Sequence, residues 1–101
     1  MVTILDQHIK DISTLCLAHN VKQLYAFGSV LTDKFNTDSD VDLLVDFEPI
    51  EISEYADNYY DLKFSLESIL QKPVDLLEDK AITNPYFRHV VNNQRQLIYG
   101  H

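Results

Sequence analysis

The strongest constraint on the fold lies in residues 40–47, where apolar residues alternate with residues that are mostly acidic. Successive side chains of a β-strand point to opposite faces of a sheet. One face of the predicted strand then carries Val41, Leu43, Val45 and Phe47, and the other carries Asp40, Asp42, Leu44 and Asp46. The chain is therefore expected to form a sheet with one face in a hydrophobic core and one face that presents carboxylates.

The helices on either side of this strand are predicted from apolar spacing and from capping residues. A first helix is expected to stop at Asn20, a residue that tolerates the left-handed conformation. Ser29 can cap a short helix that reaches about Phe35. Ser53 is expected to cap a long helix, which Pro73 cannot continue. The order of these segments places a helix between each pair of predicted strands.

The remaining predicted elements are short. Residues 22–27 and 74–77 are apolar enough to form buried strands. Asn84 followed by Pro85 is a typical start for another helix. Residues 97–99 fit a closing strand or a last turn of helix equally well, because periodicity cannot separate the two over so few residues.

Length and composition limit the fold and the classes of partner. The 101 residues suit a single domain, 1–101, and the element order predicts an α/β (α+β) fold with a small mixed β-sheet flanked by helices. A net charge of −8 argues against direct binding of nucleic acid. The single cysteine, Cys16, excludes an internal disulfide, and no apolar run is long enough to span a membrane. A cytoplasmic protein is expected.

The acidic residues are concentrated in one part of the chain. Ten of the sixteen lie between Asp33 and Asp61, where Lys34 is the only basic residue. Such a run is either a solvated face or, where several carboxylates converge on a rigid element, a site for divalent cations. The local structure decides between these two interpretations.

One constellation within this acidic region favours the cation site. Gly28 and Ser29 form a Gly-Ser step, and after ten residues Asp40 and Asp42 follow as Asp-x-Asp. On a strand the two carboxylates share one face, with Cα atoms about 6.6 Å apart, which suits a pair of Mg²⁺ ions about 3.5–4 Å apart. The glycine allows close approach of a triphosphate, and the serine hydroxyl and the following helix start offer hydrogen-bond donors to it. This pattern predicts phosphoryl or nucleotidyl transfer.

The constellation resembles the nucleotidyltransferase signature of the DNA polymerase beta-like superfamily, and the short chain resembles its minimal nucleotidyltransferases. The resemblance implies that Asp40, Asp42 and a third carboxylate hold the metal ions. Asp75 is the matching candidate for this third position, and Glu78 and Asp79 are nearby alternatives.

The resemblance also assigns the nucleotide contacts. It implies that Gly28 and Ser29 contact the triphosphate of the nucleotide. Many family members carry Arg-Gly where this chain has Thr32-Asp33, which leaves Lys34 as the local positive charge for the phosphates.

The resemblance further implies a function. The chain is expected to be a Mg²⁺-dependent nucleotidyltransferase that uses two Mg²⁺ ions to move AMP from ATP onto a hydroxyl of a partner protein. Members are commonly paired with a helical HEPN-type toxin, which the antitoxin neutralises by binding it and by adenylylating a tyrosine. The alternatives are a catalytically weak antitoxin that only masks its toxin, and nucleotidylation of a small molecule. We also expect a homo-oligomer or a hetero-complex, with the aromatic helix over residues 53–71 as the contact.

Overall fold

The computed structural model of the chain describes residues 4–32 and 39–100. Its helices are α1 (Ile4–Gln7), α2 (Ile9–Ala18), α3 (Ile52–Leu70) and α4 (Pro85–Gln94), and its strands are β1 (Val21–Phe27), β2 (Val41–Phe47), β3 (Val74–Glu78) and β4 (Gln96–Tyr99). Short 3₁₀ turns follow β1, at Gly28–Leu31, and β3, at Asp79–Ala81. The predicted fold class, a small mixed sheet flanked by helices, is confirmed.

The four strands form one sheet in the order β3-β2-β1-β4. β1 runs antiparallel to both of its neighbours, β2 and β4, whereas β2 and β3 are parallel. A parallel pair needs a crossover, and α3 supplies it. The alternatives left open for residues 97–99 are resolved in favour of a strand, because β4 pairs with β1.

The two faces of the sheet are covered very differently. On one face, α2 and α3 pack against the apolar side of β2 in a cluster that includes Ile12, Cys16, Leu62 and Leu66. On the other face, the described buried cluster consists of Phe27, Leu44 and Val91. The predicted alternation of β2 is confirmed, because Val41, Leu43, Val45 and Phe47 all lie in the larger cluster.

Two predicted helix boundaries are confirmed by backbone geometry. Asn20 follows α2 with a φ of 59°, in the left-handed region that ends helices. The side chain of Asn84 accepts hydrogen bonds from the backbone N–H groups of Tyr86 (2.9 Å) and Phe87 (3.2 Å). This satisfies two donors that the first turn of α4 leaves without helical partners.

Three other boundary predictions are wrong in detail. The first helix is interrupted at His8, which separates α1 from α2. α3 begins at Ile52 rather than after a Ser53 cap, because the extended backbone of Glu51 starts the first turn two residues earlier and its carbonyl accepts from the N–H of Glu54. Ser29 lies inside the 3₁₀ turn that starts at Gly28 and does not cap a helix; the predicted end near Phe35 lies outside the described residues.

Within residues 4–32 and 39–100, no helix is both long and apolar enough to cross a membrane.

Candidate active site

The glycine turn and the first acidic strand meet at one end of the sheet. Phe27, the last residue of β1, is the cross-strand partner of Asp42 in β2, so the turn that begins at Gly28 lies beside the start of β2. Gly28 has a φ of +77°, and a Cβ atom placed on it would lie 2.6 Å from Oδ2 of Asp42. The positive φ therefore favours glycine at this position, and a side chain here would also displace the Asp42 carboxylate.

Asp42 has an acidic neighbour on the adjacent parallel strand. Asp42 of β2 and Asp75 of β3 are register partners. Val74 and Leu76 are buried on the core face, whereas Asp75 is exposed, so its side chain lies on the same face as Asp42. Two carboxylates from neighbouring strands thus face the same side of the sheet, next to the Gly28 turn.

The alternatives for the third carboxylate are engaged elsewhere. Oδ1 of Asp79 accepts a 2.7 Å hydrogen bond from Arg88 and lies 3.6 Å from a guanidinium nitrogen of Arg95. Glu78 accepts a hydrogen bond from the hydroxyl of Tyr55. Both acids bind elements that pack around β3, which leaves Asp75 as the acid of this strand that faces Asp42.

Electrostatics connects Asp40 to the same group. Asp40 is exposed and directly precedes β2, two residues before Asp42. The pKa of Asp42 is raised above the ordinary aspartate value, chiefly by burial and further by the negative charges of Asp75 and Asp40. Asp42 therefore interacts with both of the other predicted metal-ligating carboxylates, and a bound cation would relieve this repulsion.

The donor set suits a hard divalent cation, although the acids do not form a closed cage. Carboxylate oxygens are the ligands that Mg²⁺ prefers. In the part of the chain that the structure describes, no group of three His, Cys, Asp or Glu side chains is close enough to hold a metal ion by itself. Asp40, Asp42 and Asp75 are thus donors of the type that Mg²⁺ binds, but in this structure they do not form a three-ligand site by themselves.

The other predicted nucleotide contacts can be placed only in part. The backbone of Ser29 lies in the 3₁₀ turn beside Asp42, and its side chain is outside the described part of the molecule. Lys34 lies outside the described residues. Of the predicted site residues, Gly28, Asp40, Asp42 and Asp75 are thus the ones that the structure brings together.

α3 also contacts β3, the strand that carries Asp75, and no local pattern in the sequence indicates this contact. The hydroxyl of Tyr59 donates a hydrogen bond to the carbonyl oxygen of Leu76, the residue after Asp75. Burial raises the pKa of Tyr59, and the charges of Tyr60, Asp75 and Glu78 raise it further. The helical spacing of the tyrosines is visible in the sequence, but this spacing carries no signal for a contact with β3.

A cavity of about 440 Å³ lies between α3 and the second half of β3. Its lining includes Tyr59, Tyr60, Leu76, Leu77 and Ala81, and we call it the α3–β3 cavity. Leu77 lies two residues after Asp75 on the same face of the strand. The cavity therefore reaches one residue of the strand face that carries Asp75, although none of the three carboxylates lines it.

Comparisons with known proteins identify the family of this chain. The family model described as polymerase beta, nucleotidyltransferase matches residues 10–101. A Methanocaldococcus jannaschii protein, named as a candidate protein adenylyltransferase, is 33% identical over 81 residues, which cover 80% of this chain and 78% of the relative. Protein adenylyltransferase MntA of Thermococcus cleftensis is 29% identical over 99 residues, covering 90% of this chain and 94% of that protein.

Solved structures share the fold. The structure of a candidate minimal nucleotidyltransferase matches with a TM-score of 0.77 at 28% identity, covering 94% of this chain and 95% of that one. A tri-AMPylated Shewanella oneidensis HEPN toxin in complex with an MNT antitoxin contains a chain that matches with a TM-score of 0.66 at 20% identity, covering 96% of this chain and 73% of that one. At that identity the second likeness concerns the fold alone.

Proposed function

Because the chain belongs to the polymerase beta nucleotidyltransferase family, we propose that it transfers AMP from ATP to a hydroxyl of a partner protein. The partner in this proposal is a HEPN-type toxin, and the chain is the MNT antitoxin of the pair. The observation that carries the proposal is the convergence of Gly28, Asp42 and Asp75 at one end of the sheet. The names of the relatives support protein adenylylation, and the solved toxin–antitoxin complex supports the class of partner.

The carboxylates bind the cations in this proposal. Asp40, Asp42 and Asp75 would hold two Mg²⁺ ions, and bound ions would supply charge neutralisation to the triphosphate and to the attacking and leaving oxygens. Asp42 lies at the centre of the group, because it is in register with Asp75 and two residues from Asp40. We therefore expect Asp42 to be the least replaceable of the three.

The turn after β1 receives the nucleotide. Because Gly28 has no side chain, phosphate oxygens can approach its backbone, which lies beside the Asp42 carboxylate. Ser29 contributes a hydroxyl and Lys34 a positive charge to the phosphates. Both side chains must lie near Asp42 to contact the phosphates. Ser29 is close to Asp42 in the chain fold, because it directly follows Gly28 in the short turn.

Asp75 acts on the acceptor side. It lies on β3, the edge strand of the sheet, and its side chain is exposed. A protein substrate can reach an edge strand, whereas β2 in the interior of the sheet is flanked on both sides. Asp75 is therefore positioned to orient the attacking hydroxyl and to accept its proton as the hydroxyl oxygen bonds to the α-phosphorus and pyrophosphate leaves.

The proposal is tested by the mass of the partner. The HEPN-type protein that this proposal assigns as the partner is incubated with the chain, ATP and Mg²⁺, and its intact mass is measured. We expect an increase by one or more AMP units, and fragmentation should locate each unit on a tyrosine hydroxyl. A partner whose mass never changes with any of the four ribonucleoside triphosphates would contradict the proposal.

One feature of the sequence favours a second candidate, an antitoxin that acts by masking alone. Thr32-Asp33 stands where many family members have Arg-Gly, so a positive charge beside the phosphates is missing from that position. The two candidates differ in the effect of Asp42→Asn on toxin neutralisation. Under the catalytic proposal the variant neutralises the toxin less well than the original chain although it still binds it, whereas under masking it neutralises equally well.

A further inference from the structure

Two aromatic side chains on α3 are exposed and stack on each other. Tyr60 and Phe64 are 52% and 56% exposed, and their ring centroids are 5.9 Å apart at an interplanar angle of 26°. Tyr60 also meets the ring of Tyr59 edge-on at 5.1 Å. The exposed pair is therefore held in place by rings that pack against the core, and it presents a preformed apolar surface to solvent.

Acidic residues surround this pair. Asp57 and Asp61 are exposed and lie on the same helical face as Tyr60 and Phe64, because both Asp57 and Phe64 are three or four residues from each of Tyr60 and Asp61. We call these four residues the α3 aromatic surface. The sequence of α3 contains four acidic residues and one basic residue, Lys63, so the surface has a net negative charge.

The α3 aromatic surface is continuous with the α3–β3 cavity. Tyr60 belongs both to this surface and to the lining of the α3–β3 cavity. Leu77 lines the cavity from the opposite side and shares its strand face with Asp75. A molecule that covers Tyr60 and enters the cavity is therefore brought to the acceptor side of the carboxylates.

The charge of the surface selects its occupant. A second copy of this chain, docked through the same surface, would oppose aspartates to aspartates on a molecule whose net charge is already −8. Nucleic acid and anionic membranes are repelled for the same reason. Aromatic rings between carboxylates favour arginine and lysine, and the Nζ atom of Lys63 already lies 5.3 Å from the centre of the Phe64 ring. A basic polypeptide is the partner that fits.

We propose that the α3 aromatic surface docks a basic segment of the acceptor protein. Lysine or arginine side chains of that segment contact Asp57 and Asp61, and an apolar side chain enters the α3–β3 cavity between Tyr60 and Leu77. The acceptor hydroxyl is then held on the Asp75 side of the sheet. The inference rests on the proposed function for the identity of the acceptor, but the docking does not require AMP transfer.

The test is the dissociation constant for the HEPN-type partner, measured without nucleotide. The variant Tyr60→Ser/Phe64→Ser is compared with Tyr86→Ser/Val90→Ser on α4. The control pair has the same four-residue spacing, and its residues are 84% and 46% exposed. We expect the α3 variant to bind the partner at least tenfold more weakly and the α4 variant to bind as the original chain does. ATP affinity should be unchanged in both.

A charge variant provides an independent arm that leaves the rings intact. Asp57→Lys/Asp61→Lys should also weaken binding at least tenfold, and the original chain should lose affinity as the salt concentration rises. Three outcomes would overturn the docking proposal. The first is an unchanged partner affinity in both α3 variants, and the second is an equal loss of affinity in the α3 and α4 variants. The third is that the original chain does not bind the partner. If the partner binds through α3 but receives no AMP, the proposed catalysis is contradicted. If the α3 variants transfer AMP as the original chain does, only the docking proposal is overturned.

Discussion

The two faces of the sheet use the same strands for different purposes. Among the described residues, sixteen buried side chains form the cluster under α2 and α3, whereas three form the cluster under α4. The second face leaves room for Asp42 and Asp75, which could not remain charged inside the first. The comparison indicates that fold stability comes mainly from one face and the proposed chemistry from the other, so that substitutions can affect them separately.

The largest expected effect on stability contrasts two adjacent leucines. Leu43 and Leu44 are both fully buried, but Leu43 belongs to the larger cluster and Leu44 to the smaller one. We expect Leu43→Ala to lower the free energy of unfolding by about 4 kcal/mol and Leu44→Ala by about 2 kcal/mol, because surroundings that are less enclosed relax better around a cavity. Urea unfolding of both variants measures the difference. Equal losses would contradict the contrast between the faces.

A smaller effect on stability is expected at the turn next to Asp42. Gly28→Ala should cost about 1–3 kcal/mol, because alanine is strained at a φ of +77° and its Cβ would meet the Asp42 carboxylate. In an Asp42→Ala background the clash with the carboxylate no longer contributes to the cost of Gly28→Ala, whereas the strain of the positive φ still does. Unfolding of the two single variants and the double variant should therefore show less than additive losses. Additive losses would mean that the close approach to Asp42 contributes nothing.

The smallest effect is electrostatic and has the opposite sign. Because burial and two neighbouring acids raise the pKa of Asp42, the folded state binds its proton more tightly than the unfolded state does. The contribution of Asp42 to stability therefore falls as the pH rises through that raised pKa.

Asp42→Asn removes this contribution and should stabilise the chain at pH 7 by less than about 1 kcal/mol. The advantage of the variant should disappear as the pH falls below the ordinary aspartate pKa of about 3.9. Thermal unfolding of both proteins across this range checks the sign. A variant that is less stable at pH 7 would show that Asp42 is favourably paired in the fold.

The sequence predicted those parts of the molecule that depend on local patterns. Alternation in residues 40–47 placed Asp42 opposite the core, and the same rule placed Asp75 opposite Val74 and Leu76. Burial of Leu44 on the acidic face could not be predicted, because it depends on Val91 of α4, 47 positions away in the sequence. The ion pairs of Asp79 are likewise long-range contacts without a local pattern.

The most direct test of the central claim combines activity and stability in one pair of variants. Asp40→Asn/Asp42→Asn removes two of the three carboxylates, and Asp46→Asn changes an acid on the same face of β2 that lies 3.9 Å from Lys80 instead. AMP transfer to the partner is measured by intact mass, and folding by thermal unfolding. We expect the double variant to be folded, at least as stable as the original chain, and without detectable AMP transfer, while Asp46→Asn transfers AMP normally. Undiminished transfer by the folded double variant would contradict the claim that this face of the sheet is the active site.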